Sequence, residues 1–159
     1  MKYRAFISYR RQDAGGTARW LRRRLLAFRP PRELLDQLTP EQRSDAERRV
    51  AYFLDTSYQS ANQDFWVANI EPALLESEYL IVISSTSALK PRSDGSDNWV
   101  AREIDTFLKL HGETEGYKRI IVALAPGAST EDFPGRLNAI SRQWDWARRC
   151  ASRPSPTAC

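Results

Sequence analysis

Residues 79–83 read Tyr-Leu-Ile-Val-Ile, an uninterrupted apolar run that decides the fold. Its β-branched and aromatic side chains favour a strand, and the polar residues 84–87 (SSTS) mark its end. A strand that lacks polar alternation is buried on both faces, which is typical of central strands in parallel sheets covered by helices. The run therefore predicts an α/β protein.

Strand and helix patterns alternate on both sides of this run. The predicted strands are residues 3–9 (YRAFISY), 50–54 (VAYFL), 79–83 and 119–124 (RIIVAL). The predicted helices are residues 17–28, with apolar positions at Trp20, Leu21, Leu25, Leu26 and Phe28, and residues 65–77 and 99–110. This alternation predicts a parallel sheet with helices on both faces.

Local signals mark the expected ends of these helices. Residues 10–16 (RRQDAGG) are polar and glycine-rich, so we expect a loop between the first strand and the first helix. Pro30 and the proline after it end that helix, because proline lacks an N–H and restricts the residue before it. Ser96 or Asp97 is the expected N-cap of the helix over 99–110.

Length and composition predict one folded domain. The chain has 159 residues, of which 42% are hydrophobic and 28% charged, and this balance fits a single globular core. We expect the domain to span residues 1–149, with a partly helical surface insertion at residues 30–48. Residues 150–159 have the composition of a flexible tail or linker.

Composition also excludes several classes of function. Cys150 and Cys159 lie in a polar stretch and His111 is the single histidine, so we expect neither a disulfide framework nor a metal site. No apolar run approaches the roughly 18 residues that cross a bilayer, and no signal peptide precedes the first strand, which favours a cytoplasmic protein. The net charge of +4 is mild, and a solvated helix face explains its densest arginine cluster better than nucleic-acid binding does.

A tryptophan and a glutamate stand four residues apart at the start of the helix over 99–110. Trp99 and Glu103 would share one helix face near its first turns. Polar loops follow the strands at Ser8, Asp55 and Ser84, and ligands of open α/β sheets bind outside the carboxyl ends of the strands. The alternative is that Glu103 is an exposed residue without a catalytic role, which the helix dipole favours near the start of the helix.

Four segments in this order resemble the Toll/interleukin-1 receptor (TIR) domain, and in particular its bacterial and axonal members that consume NAD. The segments are residues 6–11 (FISYRR), 53–55 (FLD), 80–84 (LIVIS) and 99–104 (WVAREI). The resemblance implies a flavodoxin-like three-layer sandwich with a central five-stranded parallel sheet and helices on both faces. It also implies that Glu103 is the catalytic carboxylate of an NAD nucleosidase, which is activated by self-assembly and acts as an effector in bacterial antiphage defence.

NAD would be the substrate, and no cofactor is expected. Its pyridinium leaving group departs without much acid help, so a single carboxylate, Glu103, can suffice to stabilise the charge that develops on the ribose. The flat nicotinamide, the pyrophosphate and the ribose call for aromatic planes, positive charge and polar groups. The substrate-binding candidates are Tyr9 and Phe65 for the planes, Arg10 and Arg11 for the phosphates, Asp55 and Ser84 for ribose, and Trp99 beside Glu103.

Residues 55–64 correspond to the BB loop of the family, which controls access to the pocket and mediates assembly. The assembly candidates within it are Thr56, Ser57, Tyr58 and Gln59. This chain departs from the family in its longer insertion and in a BB loop without the usual proline or glycine. The expected partners are other copies of the domain and a C-terminal sensor domain or partner protein, with no membrane.

Other functions remain open. A non-catalytic TIR adaptor would bind other TIR domains through the BB loop, and a protein like the nucleoside 2-deoxyribosyltransferases would also set a glutamate against ribose. Core packing is favoured over substrate contact for Trp99. Arg10 and Arg11 are as compatible with solvated surface positions as with substrate binding. The sequence does not decide between hydrolysis to ADP-ribose, cyclisation and base exchange.

Overall fold

The structure is a computed structural model that describes residues 1–48, 50–54, 63–88, 98–129 and 137. Four strands are present in this part of the chain: β1 (Tyr3–Tyr9), β2 (Ala51–Leu54), β3 (Ser77–Ser84) and β4 (Ile120–Leu124). The helices are α1 (Arg11–Ala27), α2 (Arg32–Leu35), α3 (Pro40–Glu47), α4 (Gln63–Phe65), α5 (Glu71–Leu75), α6 (Trp99–His111) and α7 (Glu113–Lys118). A π-helical turn, Trp66–Ile70, joins α4 to α5.

The four strands form one parallel sheet in the order β2-β1-β3-β4. The chain moves from β1 outward to β2 and then crosses back over β1 to β3, so the strand order reverses between β1 and β3. In open α/β sheets this reversal opens a crevice at the carboxyl ends of the two strands, where ligands bind. The predicted parallel α/β sheet is confirmed for these four strands.

Hydrophobic clusters cover both faces of the sheet. On one face Phe6, Leu80 and Val82 pack with the π-helical turn, α5 and α6. On the other face Ile7 and Ile83 pack with α1. Alternation along the strands sends successive side chains to opposite faces, which is why β1 and β3 feed both clusters. β3 is almost wholly buried, as its apolar run predicts, and it extends past that run at both ends.

Helix α1 begins six residues earlier than predicted, because the expected loop at residues 10–16 is helical from Arg11 onward. Ala14, Gly15 and Ala18 are buried there, and their small side chains let the helix approach the sheet closely. The expected apolar face is also only partly correct. Leu21 and Leu25 pack on the core, whereas the remaining predicted apolar positions are exposed: Trp20, Leu26 and Phe28.

The cap of α6 differs from both predicted residues. Asn98, and neither Ser96 nor Asp97, is the N-cap, and its side-chain oxygen accepts a hydrogen bond of 3.1 Å from the Ala101 amide. The Asn98 amide group also donates to the Ala88 carbonyl at 2.9 Å. The residue directly before the apolar helix therefore caps it and ties its start to the segment after β3.

Two short helices, α2 and α3, occupy the predicted insertion. Thr39 begins α3 with a reciprocal capping box, in which its hydroxyl accepts from the Gln42 amide and the Gln42 side chain accepts from the Thr39 amide. No residue of α3 is buried, and Leu35 is the buried residue of α2. The predicted tail, residues 150–159, lies outside the described residues.

Candidate active site

Glu103 lies in the second turn of α6, on the face of the sheet that α6 covers. Its residue exposure is 8%, and the Ser8 hydroxyl of β1 donates a hydrogen bond to its Oε2 atom. Ser8 itself is 1% exposed and follows Phe6 on the same side of β1. Glutamate is seldom buried without a partner, and here it is both buried and partnered. Glu103 is therefore not the exposed helix residue of the alternative interpretation.

The pair stands at the point where the strand order reverses. Ser8 pairs in register with Val82 of β3, close to the carboxyl ends of both strands. Ser84 ends β3, is fully buried, and by alternation from Val82 faces the same side of the sheet as Ser8. Two serine side chains and one carboxylate are thus directed to one face at the carboxyl edge of the two central strands.

An aromatic and cationic stack supports the start of α6. The Trp99 ring lies 5.1 Å from the ring of Trp66 in the π-helical turn, and Trp66 is 2% exposed. The Arg102 guanidinium lies 4.1 Å from the Trp66 ring centroid and 5.3 Å from that of Trp99. Ring contacts and cation–π attraction therefore fix the turn that precedes Glu103. The π-helical turn, which sequence patterns did not reveal, presents Trp66 to this stack.

A second polar group lies on the α1 side of the same edge. Arg10 is the N-cap residue of α1, and its Nη1 atom donates to the Ser87 carbonyl, while the Ser87 hydroxyl donates to the Asp13 carboxylate. Partial burial of Asp13 disfavours its charge, but hydrogen bonds led by that of Ser87 outweigh the burial and hold the pKa of its carboxyl below the ordinary value. These contacts tie the start of α1 to the loop after β3.

The structure separates the predicted substrate contacts between the two faces. Tyr9 packs on the α1 side, where its ring lies against Gly15, and Arg11 is exposed on the first turn of α1. Phe65 and Trp99 pack against the core on the α6 side, with Glu103. The remaining predicted site residues lie outside the described residues: Asp55, Thr56, Ser57, Tyr58 and Gln59.

The sequence predictions omitted Ser8 from the site. Its signal was nevertheless present, because Ser8 is a polar residue that directly follows the apolar run Ala5-Phe6-Ile7 and lies two residues after the buried Phe6, on the same face. A polar group at such a position needs a hydrogen-bond partner. The partner is Glu103, which is distant in sequence, so only the folded arrangement identifies it.

The amino-terminal edge of the sheet carries different chemistry. A cavity of about 610 Å³ opens there, and its lining includes Tyr3, Arg4, Glu78 and Arg119. Arg4 is already engaged, since its Nη1 atom lies 2.7 Å from the Glu78 carboxylate and its Nη2 atom 2.8 Å from that of Asp45. This cavity is at the opposite end of β1 from Ser8, so it belongs to a separate region of the molecule.

Among the described residues, no three histidine, cysteine, aspartate or glutamate side chains are grouped as they would be to hold a metal ion. In the same residues, no helix combines the length and the apolar character that crossing a bilayer requires.

No family model matches this chain, and no curated protein matches it. The functional conclusion consequently depends on the residues and on the geometry at the carboxyl edge of the sheet.

Proposed function

We propose that this chain is a TIR-domain NAD nucleosidase that cleaves the bond between nicotinamide and ribose, with Glu103 as its catalytic carboxylate. The observation that carries the proposal is the buried Glu103 carboxylate, bonded to Ser8 where the order of β1 and β3 reverses. Ser8 and Glu103 come from two of the segments that resemble the family, residues 6–11 and 99–104, and they meet in one hydrogen bond. Buried ionisable groups near such crevices are candidates for catalysis.

The reaction suits a single carboxylate. When the glycosidic C–N bond breaks, its electron pair neutralises the pyridinium nitrogen and nicotinamide leaves as a neutral molecule. Positive charge then develops on the ribose, and the Glu103 carboxylate stabilises it in surroundings from which water is largely excluded. In hydrolysis a water molecule adds its oxygen to the ribose carbon and releases one proton, which gives ADP-ribose.

The rest of NAD would extend over the carboxyl edge towards α1. Arg11 is exposed on the first turn of this helix, where backbone N–H groups and the helix dipole also favour phosphate. Arg10 already donates to the Ser87 carbonyl, so its part in the proposal is to hold the start of α1 to the loop after β3. Trp99 packs on Trp66, and its proposed part is to fix the start of α6.

The finer fold and the mode of assembly belong to the same proposal. The order β2-β1-β3-β4 agrees with the first four strands of flavodoxin-like sheets, and the proposal adds a fifth strand. Thr56, Ser57, Tyr58 and Gln59 would contact a neighbouring copy and complete its pocket. If the productive pose is rarely populated in isolated domains, clustering switches the activity on. Such an enzyme fits a cytoplasmic effector of antiphage defence.

The test is release of nicotinamide from NAD by the full chain, at high concentration and with copies clustered on a scaffold. We expect clustered wild-type protein to release nicotinamide and clustered Glu103→Gln protein to release almost none. Glutamine keeps the shape of the side chain and an oxygen that can accept from Ser8, while it removes the negative charge. Mass spectrometry of the second product distinguishes ADP-ribose, a cyclic form and base exchange.

The alternatives give different results in the same assay. A non-catalytic adaptor leaves NAD intact even when the wild type is clustered, while Tyr58→Ala abolishes its assembly. A deoxyribosyltransferase-like protein binds free nucleosides and leaves NAD intact. Equal inactivity of clustered wild type and Glu103→Gln would overturn the proposed function.

A further inference from the structure

Ser8 lies on an inner strand of the sheet. β1 is the inner strand that pairs with both β2 and β3, and Ser8 lies between the buried Ile7 and the end of the strand at Tyr9. A serine side chain has one torsion before its hydroxyl, so a fixed backbone fixes the donor closely. Groups mounted on strands and locked by their neighbours position a partner more accurately than groups on loops.

We propose that Ser8 is a positioning residue, whose hydroxyl fixes the direction of the Glu103 carboxylate towards the ribose in the reaction proposed above. The inference rests on that proposed function and adds a second residue to it. Ser8 would act through Glu103 and would not touch NAD. A donor that is already in place does not need to reorient when charge develops on the sugar, which is how preorganised sites lower a barrier.

The chemical type of the donor is informative. A hydroxyl is neutral, so it orients the Glu103 carboxylate without cancelling its charge. An arginine or lysine partner would offset the charge that must stabilise the ribose cation. Since a carboxylate accepts stronger hydrogen bonds than a neutral group does, the bond from Ser8 contributes strongly to the orientation.

A purely structural role for Ser8 has a matched control within the same sheet. Ser77 begins β3, is fully buried, and donates to the Ala73 carbonyl at 2.7 Å. Ser8 and Ser77 therefore share residue type, burial and a single assigned hydrogen bond as donor. They differ in the acceptor, which is an ionisable side chain for Ser8 and a backbone carbonyl for Ser77.

The kinetic test compares Ser8→Ala, Ser8→Thr and Ser77→Ala as full chains, clustered and supplied with NAD, with rates divided by the folded fraction from circular dichroism. We expect Ser8→Ala to lower kcat about 10- to 100-fold while KM changes by less than about 2-fold, because the substitution removes only the orientation of the Glu103 carboxylate. Ser8→Thr keeps the hydroxyl and should recover most of kcat. Ser77→Ala should leave kcat near that of wild type.

Two kinetic outcomes would overturn the inference. A kcat for Ser8→Ala equal to that of Ser77→Ala would mean that the hydroxyl does no more than fill a buried position. A rise in KM with kcat unchanged would mean that Ser8 contributes to binding and not to positioning.

A second measurement does not need enzymatic activity. Urea unfolding of wild type, Ser8→Ala, Glu103→Met and the double variant forms a cycle that isolates the energy of the pair. Ser8→Ala should lower the folding equilibrium constant about 10-fold when Glu103 is present, because it leaves the buried carboxylate without this donor. It should lower the constant much less when methionine replaces Glu103, because methionine has no carboxylate.

The two measurements separate the failure of the inference from the failure of the function. Absence of coupling in the cycle would overturn the Ser8 inference even if NAD is consumed. Absence of nicotinamide release from clustered wild type would overturn the proposed function, whatever the coupling shows.

Discussion

The two ends of β1 hold carboxylates in opposite ways. At the amino end Arg4 lies 2.7 Å from the Glu78 carboxylate and also bonds Asp45, and all three side chains are partly exposed, at 21%, 33% and 50%. At the carboxyl end Ser8 bonds Glu103, and both residues are buried. One strand therefore pairs a carboxylate with a cation at one edge and with a neutral hydroxyl at the other.

The two contacts differ in whether the partner of the carboxylate carries an opposite charge. An exposed ion pair cancels its own charge and contributes little to folding, since water and salt screen it. A hydroxyl donor is neutral, so Ser8 does not itself offset a charge on the buried Glu103 carboxylate, and a charge in such surroundings acts strongly on a ligand. The proposed chemistry on a developing cation therefore belongs to the carboxyl edge.

The largest expected effect is a contrast between two variants, each of which removes one carboxylate charge at one end of β1. Glu103→Gln should lower nicotinamide release by clustered protein about 100- to 1000-fold, the range found when a group that stabilises transition-state charge is removed. Glu78→Gln, the matched change at the amino end, should leave the rate within about 2-fold. Parallel assays of the two variants with NAD measure the contrast. Similar losses in both would show that the ends of β1 do not differ in function.

A change in the stack before Glu103 should have the next largest effect. Trp66→Ala removes a buried ring that contacts Trp99 and Arg102, and should lower the free energy of unfolding by about 3 kcal/mol. Trp20→Ala serves as its control, because Trp20 is 54% exposed and should change stability by less than about 0.5 kcal/mol. Urea unfolding followed by circular dichroism measures both. An equal loss in both variants would contradict the placement of Trp66 in the core.

The cap of α6 gives a smaller effect that can be divided into two parts. Asn98→Ala should lower the free energy of unfolding by about 1 kcal/mol, since it removes the hydrogen bond to the Ala101 amide. Asn98→Asp keeps that acceptor but loses the amide group that donates to the Ala88 carbonyl. If Asn98→Asp retains stability while nicotinamide release falls, the contact with Ala88 serves the site. If Asn98→Ala and Asn98→Asp lower the free energy of unfolding equally, the hydrogen bond to the Ala101 amide is not the main contribution of Asn98 to stability.

The strands were predictable because their signal is local. An apolar run such as residues 79–83 identifies a buried strand without knowledge of its neighbours, and the structure places it at the centre of the sheet. The start of α1 was not predictable, because residues 11–16 are helical although their glycines favour a loop. Ala14 and Gly15 are buried there, and their small size allows contact with the sheet. Tertiary contact there overrides the loop preference of the glycines.

The site was predictable in part for a related reason. Glu103 stood out through its spacing from Trp99 and through the family resemblance, whereas its hydrogen bond to Ser8 joins residues that only the fold brings together. The sequence predicted Ser96 or Asp97 as the cap and not Asn98, because several neighbouring polar residues there can cap a helix. Trp66 owes its place to a π-helical turn that has no simple apolar period.

The smallest expected effect lies at the amino end and depends on pH. Arg4 donates to the Asp45 carboxylate, and this hydrogen bond, with the charges of Arg4 and Arg48, holds the pKa of Asp45 below its ordinary value of 3.8 against slight desolvation. A lowered folded-state pKa stabilises the protein fully above the ordinary value, and the contribution is lost as pH falls through the folded-state pKa. Wild type should therefore be slightly more stable than Asp45→Asn at pH 7, and the difference should vanish well below pH 3.8. Urea midpoints at pH 7 and well below pH 3.8 measure this difference in stability. Nicotinamide release at pH 7 should be the same for wild type and Asp45→Asn, because Asp45 is at the end of β1 away from Glu103. A loss of release in Asp45→Asn would show that the amino end also acts on the site.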